Sequence, residues 1–539
     1  MPTNHRPQPS LPPIPGDVDP PPPDRDVLAR YQARVLEPQD AVRMDARTIR
    51  PTAYVAAELL IPADANISRL VSKAAENLGL GISDNIDQPP TGIQRGRGVQ
   101  RLRLEPDRRA VKPDAWEVLE TARALARQPG PDVQASSAGP GASDGLARVS
   151  LNHLVFATAG PIGMSEPHGG GVSPNALYQG GAISEYYVPG WGGRTSVAYV
   201  GRPPHRRNHG DLGSRRPVAV LIDTGCAEHP WLCDVDRVPM LGQTRIGFPG
   251  SGRGSGWEVT PDPVGPMDGT LPWAFGHGTF NCGLLRQTCP DADVLSVQAV
   301  APDGVMDEKD LIDALEQVYE LARRHVRGLP NGHPVDVLSL SLGYYPEELV
   351  DPLSQGAIAT VLADLGRIGV VVVASAGNDG TRRQLFPAAF TPNPAGPNTA
   401  PERDRVPLVS VGARNPDRSI ALFSNGGDWV HNWEVAVSVV STMPVFNAGA
   451  NPSAGMVDPS GQPRRSLDPD SFTGFATHSG TSYAAPVLAG RVLRRLIDNS
   501  SSHHELSLDL PDGKDALARG WRALEHVTKL RRPKSPSQP

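Results

Sequence analysis

Between about residues 215 and 500, short unbroken apolar runs alternate with longer stretches in which apolar residues recur every three or four positions. The runs at 218–222, 294–300, 335–342, 370–375 and 406–411 predict strands buried on both faces. Between the second and third, Leu311, Leu315, Val318, Ala322 and Val326 line one side of a predicted helix. Continuous Val/Leu/Ile strands separated by helices predict an α/β domain, with a mainly parallel sheet covered on both sides.

The first third of the chain has a different texture. A strand is predicted at 54–61, and a helix from the spacing of Ile67, Leu70, Val71, Ala74 and Leu78. Leu102 and Leu104 alternate with charges, as in a half-buried strand. Ala115, Val118, Leu119, Ala122, Leu125 and Ala126 mark a second helix, and 151–157 closes the series. This β-α-β-α-β order over residues 26–157 resembles a small ferredoxin-like α/β unit, interrupted by a Gly/Ser/Ala-rich run at 129–145. Residues 1–25 are proline-rich and predict a disordered tail of polyproline II character. Residues 158–214 read as a Gly-rich linker or arm. Its basic residues Arg206, Arg207, Arg215 and Arg216 read as a solvated face and as candidate proteolytic clip points. The α/β domain is expected to end near 500. In 501–539, Leu517, Trp521 and Leu524 predict a docking helix, followed by a fraying tail after Arg531.

Composition narrows the function classes. A formal net charge of −6 and 5% aromatic residues give no case for nucleic acid or an anionic membrane as partner. No apolar run is long enough to span a bilayer, and the N-terminus lacks a cationic segment followed by an apolar one. The default expectation is a cytoplasmic protein, with secretion left open. Four cysteines, Cys226, Cys233, Cys282 and Cys289, are too few for a disulfide scaffold and fit no common zinc spacing. They read as reduced residues packed like small hydrophobes, with disulfides as the alternative and a redox switch as a further reading.

Chemistry concentrates at four places. Asp223 follows a strand and precedes Thr224-Gly225, at the strand end where open parallel sheets gather ligands. His277 lies in Gly276-His277-Gly278-Thr279 at a predicted helix start. Ser482 lies in Ser479-Gly480-Thr481-Ser482-Tyr483-Ala484-Ala485-Pro486, opening another helix. Asn378 follows the strand at 370–375. Singly, these read as a turn Asp, a surface or core His, an N-cap hydroxyl and a turn Asn. Together they supply a hydroxyl nucleophile, a base, a carboxylate to orient the base and an amide donor for an oxyanion.

In this order and context the four motifs resemble those of the subtilisin-like serine proteases, the subtilases, over residues 215–500. The resemblance implies a three-layer α/β domain and a serine endopeptidase that cuts peptide or protein substrates through an acyl-enzyme. It implies Ser482 as nucleophile, His277 as base, Asp223 as its orienter and Asn378 as oxyanion donor. It also implies a substrate-pairing strand end at Ser341, Leu342 and Gly343, and a pocket wall at Ala374, Ser375 and Ala376. The lack of a charged residue there predicts an apolar or unselective pocket. The chemistry requires no cofactor. Relatives often carry structural Ca²⁺, but no ligand set is mapped, and Asp234 and Asp236 read as solvated.

The chain departs from the family where Phe280 replaces a second His, where Cys226 follows Asp-Thr-Gly, and at Ala436-Val437-Ser438. The N-terminal unit resembles a subtilase propeptide, an intramolecular inhibitor; a permanent regulatory or recruiting domain is the competing reading. An α/β-hydrolase is excluded by residue order and by the lack of a G-x-S-x-G elbow. His277 and Asn378 argue against a sedolisin-type peptidase. A catalytically silent, peptide-binding pseudoprotease is the remaining alternative.

Overall fold

The computed structural model describes residues 17–44, 48–83, 99–107, 112–127, 146, 148–158, 193–199, 201–247, 271–348, 356–392, 401–447, 454–510 and 513–534. Residues 1–16 of the proline-rich tail, the linker-like run at 129–145, most of the Gly-rich arm and the last five residues lie outside them.

The N-terminal unit contains α1 (Arg25–Arg30), β1 (Ala33–Leu36), β2 (Thr52–Pro62), α2 (Ala65–Asn77), β3 (Leu80–Ile82), β4 (Val99–Pro106), α3 (Ala115–Arg127) and β5 (Ser150–Ala157). From β2 onward the order is β-α-β-β-α-β. The added strand β3 has three residues, too short to register as a pattern. The strands form an antiparallel sheet in the order β5-β2-β4-β3. Along β2, Tyr54, Leu59 and Ile61 join the unit's own core, whereas Ala53, Val55 and Leu60 join the core of the larger domain. The change of parity coincides with a register shift between Tyr54 and Leu59, where five steps along β2 oppose two along β5; an odd offset turns every later side chain to the other face.

The larger domain is built from β6 (Val218–Asp223), α4 (His277–Thr288), β7 (Asp293–Gln298), β8 (Val305–Asp307), α5 (Glu308–Val326), β9 (Val337–Leu340), β10 (Leu342–Gly343), α6 (Ala357–Arg367), β11 (Val371–Ser375), β12 (Val409–Arg414), β13 (Asn432–Val435), β14 (Val439–Phe446), β15 (Phe472–His478), α7 (Thr481–Ser502) and α8 (Gly513–Val527). Its six-stranded sheet runs β7-β6-β9-β11-β12-β13, with every pairing parallel. Alternate residues face opposite layers. Val218, Val220 and Ile222 pack with α5 and α6, while Ala219 and Leu221 pack with α4 and α7. This is the three-layer α/β arrangement anticipated from the runs of aliphatic residues. The predicted strand at 335–342 breaks at Ser341 into β9 and β10, and β10 leaves the central sheet. Helix α8 buries Trp521 and Leu524 beside α7.

Two composition-based readings change. Residues 17–24 do not hang free: Asp17 and Asp19 pair with Arg50, and Asp19 also pairs with Arg383. The arginines of the arm are not a solvated face. Arg206 pairs with Asp234 and Asp293, Arg207 and Arg216 with Asp291, and Arg215 with Asp336. These carboxylates border β6 and β7, so the cations fasten the arm to the sheet. Asp234, expected to be solvated, also binds Arg286.

β5 continues beyond its own unit. Leu154–Phe156 pairs antiparallel with β8, and Phe156 and Ala157 pair antiparallel with Gly343 and Leu342 of β10. The end of the N-terminal unit therefore lies as an extended strand between two edges of the larger domain.

Candidate active site

Asp223 ends β6 and is 3% exposed. Its Oδ1 accepts the Thr224 N–H at 2.7 Å and faces His277 Nδ1 at 2.6 Å. Its Oδ2 accepts the Asn281 side-chain amide at 2.9 Å. Burial makes these bonds necessary, since an unpaired interior carboxylate is costly.

The neighbouring small residues explain how a strand end and a helix start meet. A Cβ on Gly278 would sit 2.0 Å from the Gly225 carbonyl oxygen, so only glycine permits this approach. Two threonines then fasten the motifs reciprocally. Thr224 Oγ1 accepts the Gly278 N–H at 2.9 Å, and Thr279 Oγ1 accepts the Ala227 N–H at 2.8 Å. Phe280, where the family pattern often has His, packs against Tyr483 with ring centroids 4.6 Å apart. Cys226 and Cys282 share the same core, both buried; contact with the Cys282 thiol lowers the pKa of Cys226. None of the four cysteines is disulfide-bonded; Cys289 is also buried and Cys233 is exposed.

Ser482 is the second residue of α7, fully buried. Its N–H points to the carbonyl oxygen of Thr158 at 3.4 Å. The same oxygen accepts a short hydrogen bond from Asn378 Nδ2. The Asn378 amide is oriented by its other end, where Oδ1 accepts the Thr481 N–H at 2.8 Å. Thr158 thus presents its carbonyl to two donors at the start of a 22-residue helix, where the helix end favours negative charge.

The predicted substrate-pairing residues also meet this strand. Thr158 N–H donates to Ser341 O at 3.0 Å, and Ala157 N–H to Gly304 O at 2.7 Å. Leu342 and Gly343 are the β10 partners of Ala157 and Phe156. Of the predicted pocket wall, Ala374 and Ala376 are buried, and Ser375 Oγ is 2.5 Å from Thr158 Oγ1.

One expected contact is not made. Ser482 Oγ lies 2.8 Å from Thr158 Oγ1 and 3.4 Å from Ser341 O, and it is not hydrogen-bonded to His277. His277 Nε2 is buried with no partner. The imidazole and the Tyr483 ring, next to Ser482, have centroids 5.7 Å apart.

The sequence reading missed three residues. Thr158 was placed in the linker, and nothing local marks it as the end of a docked strand. Asn281 is four residues after His277 on one helix, a spacing that puts both side chains on one face. Asn425 is the third. Its amide donates to Tyr345 Oη and Ala376 O, and its carbonyl accepts from Asp379 and Thr381, which fixes the loop carrying Asn378. Among the described residues, no group of three His, Cys, Asp or Glu side chains stands ready to hold a metal ion, and no helix is long and apolar enough to cross a membrane.

A buried Asp–His pair at one strand end, a serine at a helix start and an amide donor beside it define a hydrolase-type site on a parallel α/β sheet. Residues 217–500, just over half of the chain, match the family model described as the Subtilase family. The chain belongs to that family and is a serine-type endopeptidase. It is 25% identical over 306 residues to an intracellular serine protease of Paenibacillus polymyxa, covering 54% of this chain and 69% of the relative. A solved structure, a cold adapted subtilisin-like serine proteinase, aligns over 59% of this chain and 85% of its own, with 18% identity and a TM-score of 0.32.

Proposed function

We propose that Asp223, His277 and Ser482 form the working triad of an endopeptidase whose first substrate is its own chain, cut between Thr158 and Ala159. The observation that carries this reading is the Thr158 carbonyl oxygen, held between Asn378 Nδ2 and the Ser482 N–H. These are the donors an oxyanion needs, and they face one particular peptide carbonyl.

In this mechanism Ser482 turns about its Cα–Cβ bond so that its hydroxyl meets the free Nε2 of His277. Its Oγ bonds to the Thr158 carbonyl carbon as the proton passes to Nε2. Asp223 holds the imidazole through Nδ1 and stabilises its cationic form. The oxyanion rests on Asn378 and the Ser482 N–H. Collapse breaks the C–N bond, and the proton on Nε2 goes to the departing amine. Water then enters by the reverse sequence and frees the serine.

The N-terminal unit acts as an intramolecular inhibitor, because its last strand fills the cleft by β-augmentation, the mode that peptide substrates would use. For location, the Paenibacillus relative's name is the model, and we extend an intracellular site of action to this chain.

The test is synthesis of full-length protein beside Ser482→Ala. The wild type should yield a new N-terminus at Ala159 and label with a fluorophosphonate, and the variant should do neither. A folded wild type that neither self-cleaves nor labels would favour a silent peptide-binding module.

A further inference from the structure

We infer that Ser375 makes this protease select a residue with a β-hydroxyl, threonine above all, immediately before the cut. The inference rests on the reading of Thr158 as that residue and adds to it the chemical class of the side chain.

The pocket wall is apolar except at one atom. Ser375 closes β11 after Val371, Val372, Val373 and Ala374, with Ala376 beyond it. Its hydroxyl is fully buried and has two partners: Thr158 Oγ1 at 2.5 Å and the Leu340 carbonyl at 3.4 Å. Thr158 Oγ1 in turn lies 2.8 Å from Ser482 Oγ. A single assignment of protons satisfies every group. Ser482 donates to Thr158, Thr158 to Ser375, and Ser375 to Leu340. Only the first link is lost when Ser482 turns to His277, so the Thr158–Ser375 bond persists through the chemistry.

Valine has threonine's shape without the hydroxyl. In its place Ser375 would keep only the long contact to Leu340, inside a site closed to water. A pocket that hydrogen-bonds a substrate hydroxyl rejects the analogue lacking it far better than an apolar pocket rejects one that carries it. Loss of one buried partner corresponds to about tenfold in rate. The expectation of an apolar or unselective pocket followed from the absence of charge and passed over this one hydroxyl.

The experiment is a double-mutant cycle in the full-length chain, with the cut after residue 158 followed by pulse–chase during cell-free synthesis. Thr158→Val should slow self-cleavage about tenfold, and Thr158→Ser should rescue most of that loss. In a Ser375→Ala background the Thr and Val forms should be cut at rates within about twofold of each other. The mature wild type should likewise prefer peptides with Thr over Val before the cut, a readout that depends on no variant's folding. Equal rates for Thr and Val, a Val form cut faster, or a preference that survives Ser375→Ala would each overturn the inference while leaving the peptidase reading intact. A wild type that labels with fluorophosphonate but is not cut after Thr158 overturns the inference and the self-substrate assignment. Absence of both labelling and cleavage removes the peptidase reading as well.

Discussion

Pro486 stands four residues after Ser482, and because proline has no N–H the Ser482 carbonyl has no helical partner; Ser341 Oγ donates to it instead at 2.8 Å. The spacing from serine to proline thus opens the first turn of α7 to the strand end that also pairs with Thr158. Ser341→Ala should leave a buried carbonyl unsatisfied and lower stability by about 1–3 kcal/mol. Adding Pro486→Ala restores an N–H at that position and should recover much of the loss. Urea midpoints of the two single variants and the double variant, all in a Ser482→Ala background to prevent self-cleavage, measure this. Additive effects would show that the two residues do not share the carbonyl.

The proposed catalytic roles predict a graded series in turnover of a peptide substrate. His277→Ala and Ser482→Ala should each lose several orders of magnitude. Asn378→Ala should lose about 10²–10³, the magnitude established for one oxyanion donor in a subtilisin and carried over here. Near-normal turnover in any of the three would refute the corresponding role.

Asn281 should behave as a positioning residue. Its amide donates to the Asp223 oxygen that does not face His277. Without that donor Asp223 is freer to rotate, and the His277 ring loses its fixed orientation. Asn281→Ala is expected to lower kcat about tenfold with little change in KM, and to move the acid limb of the pH–rate profile. A loss confined to thermal stability, with kcat and the pH profile unchanged, would mark Asn281 as structural only.

How much of this was legible in the sequence varied with the range of the interactions. The parallel sheet was readable because strands buried on both faces must be apolar throughout, as 218–222 and 370–375 are. Asp223 and His277 stood out because their partners, Thr224-Gly225 and Gly278-Thr279, are adjacent in sequence and satisfy each other across one contact. The arginines at 206, 207, 215 and 216 misled, since composition cannot show that Asp234, Asp291, Asp293 and Asp336 come to meet them. β3 was too short to show a period. Thr158 was illegible for a deeper reason: its role depends on β5 crossing into another domain's cleft, and no local pattern encodes docking between segments more than 180 residues apart.

The same strand carries a pH dependence. His153 of β5 is buried, with Nδ1 2.5 Å from Glu308 and Nε2 2.7 Å from Glu347, and its ring stacks on Tyr344 at 4.8 Å. Burial opposes the charged imidazole, but the two carboxylates prevail and raise its pKa to about 10. Burial likewise opposes charge on Glu347, and the His153 cation carries its pKa down to about 2. Tyr344, its pKa raised far by burial and by Glu308, stays neutral throughout. Once the unit is released, His153 should titrate near 6.5 and Glu347 near 4.3. The histidine's contribution to docking is therefore complete below about pH 6.5 and is lost as pH rises towards 10; that of Glu347 is complete above about 4.3 and is lost as pH falls towards 2. Docking should be tightest between these limits. From pH 6.5 upward the dissociation constant of the cut N-terminal unit should rise by up to about tenfold per pH unit. Size-exclusion chromatography of the processed protein at pH 6 and pH 9 should show the fragment retained at the first and released at the second. His153→Gln should bind more weakly at pH 6 and lose the slope. Retention that is independent of pH, or a slope that survives His153→Gln, would place the control elsewhere.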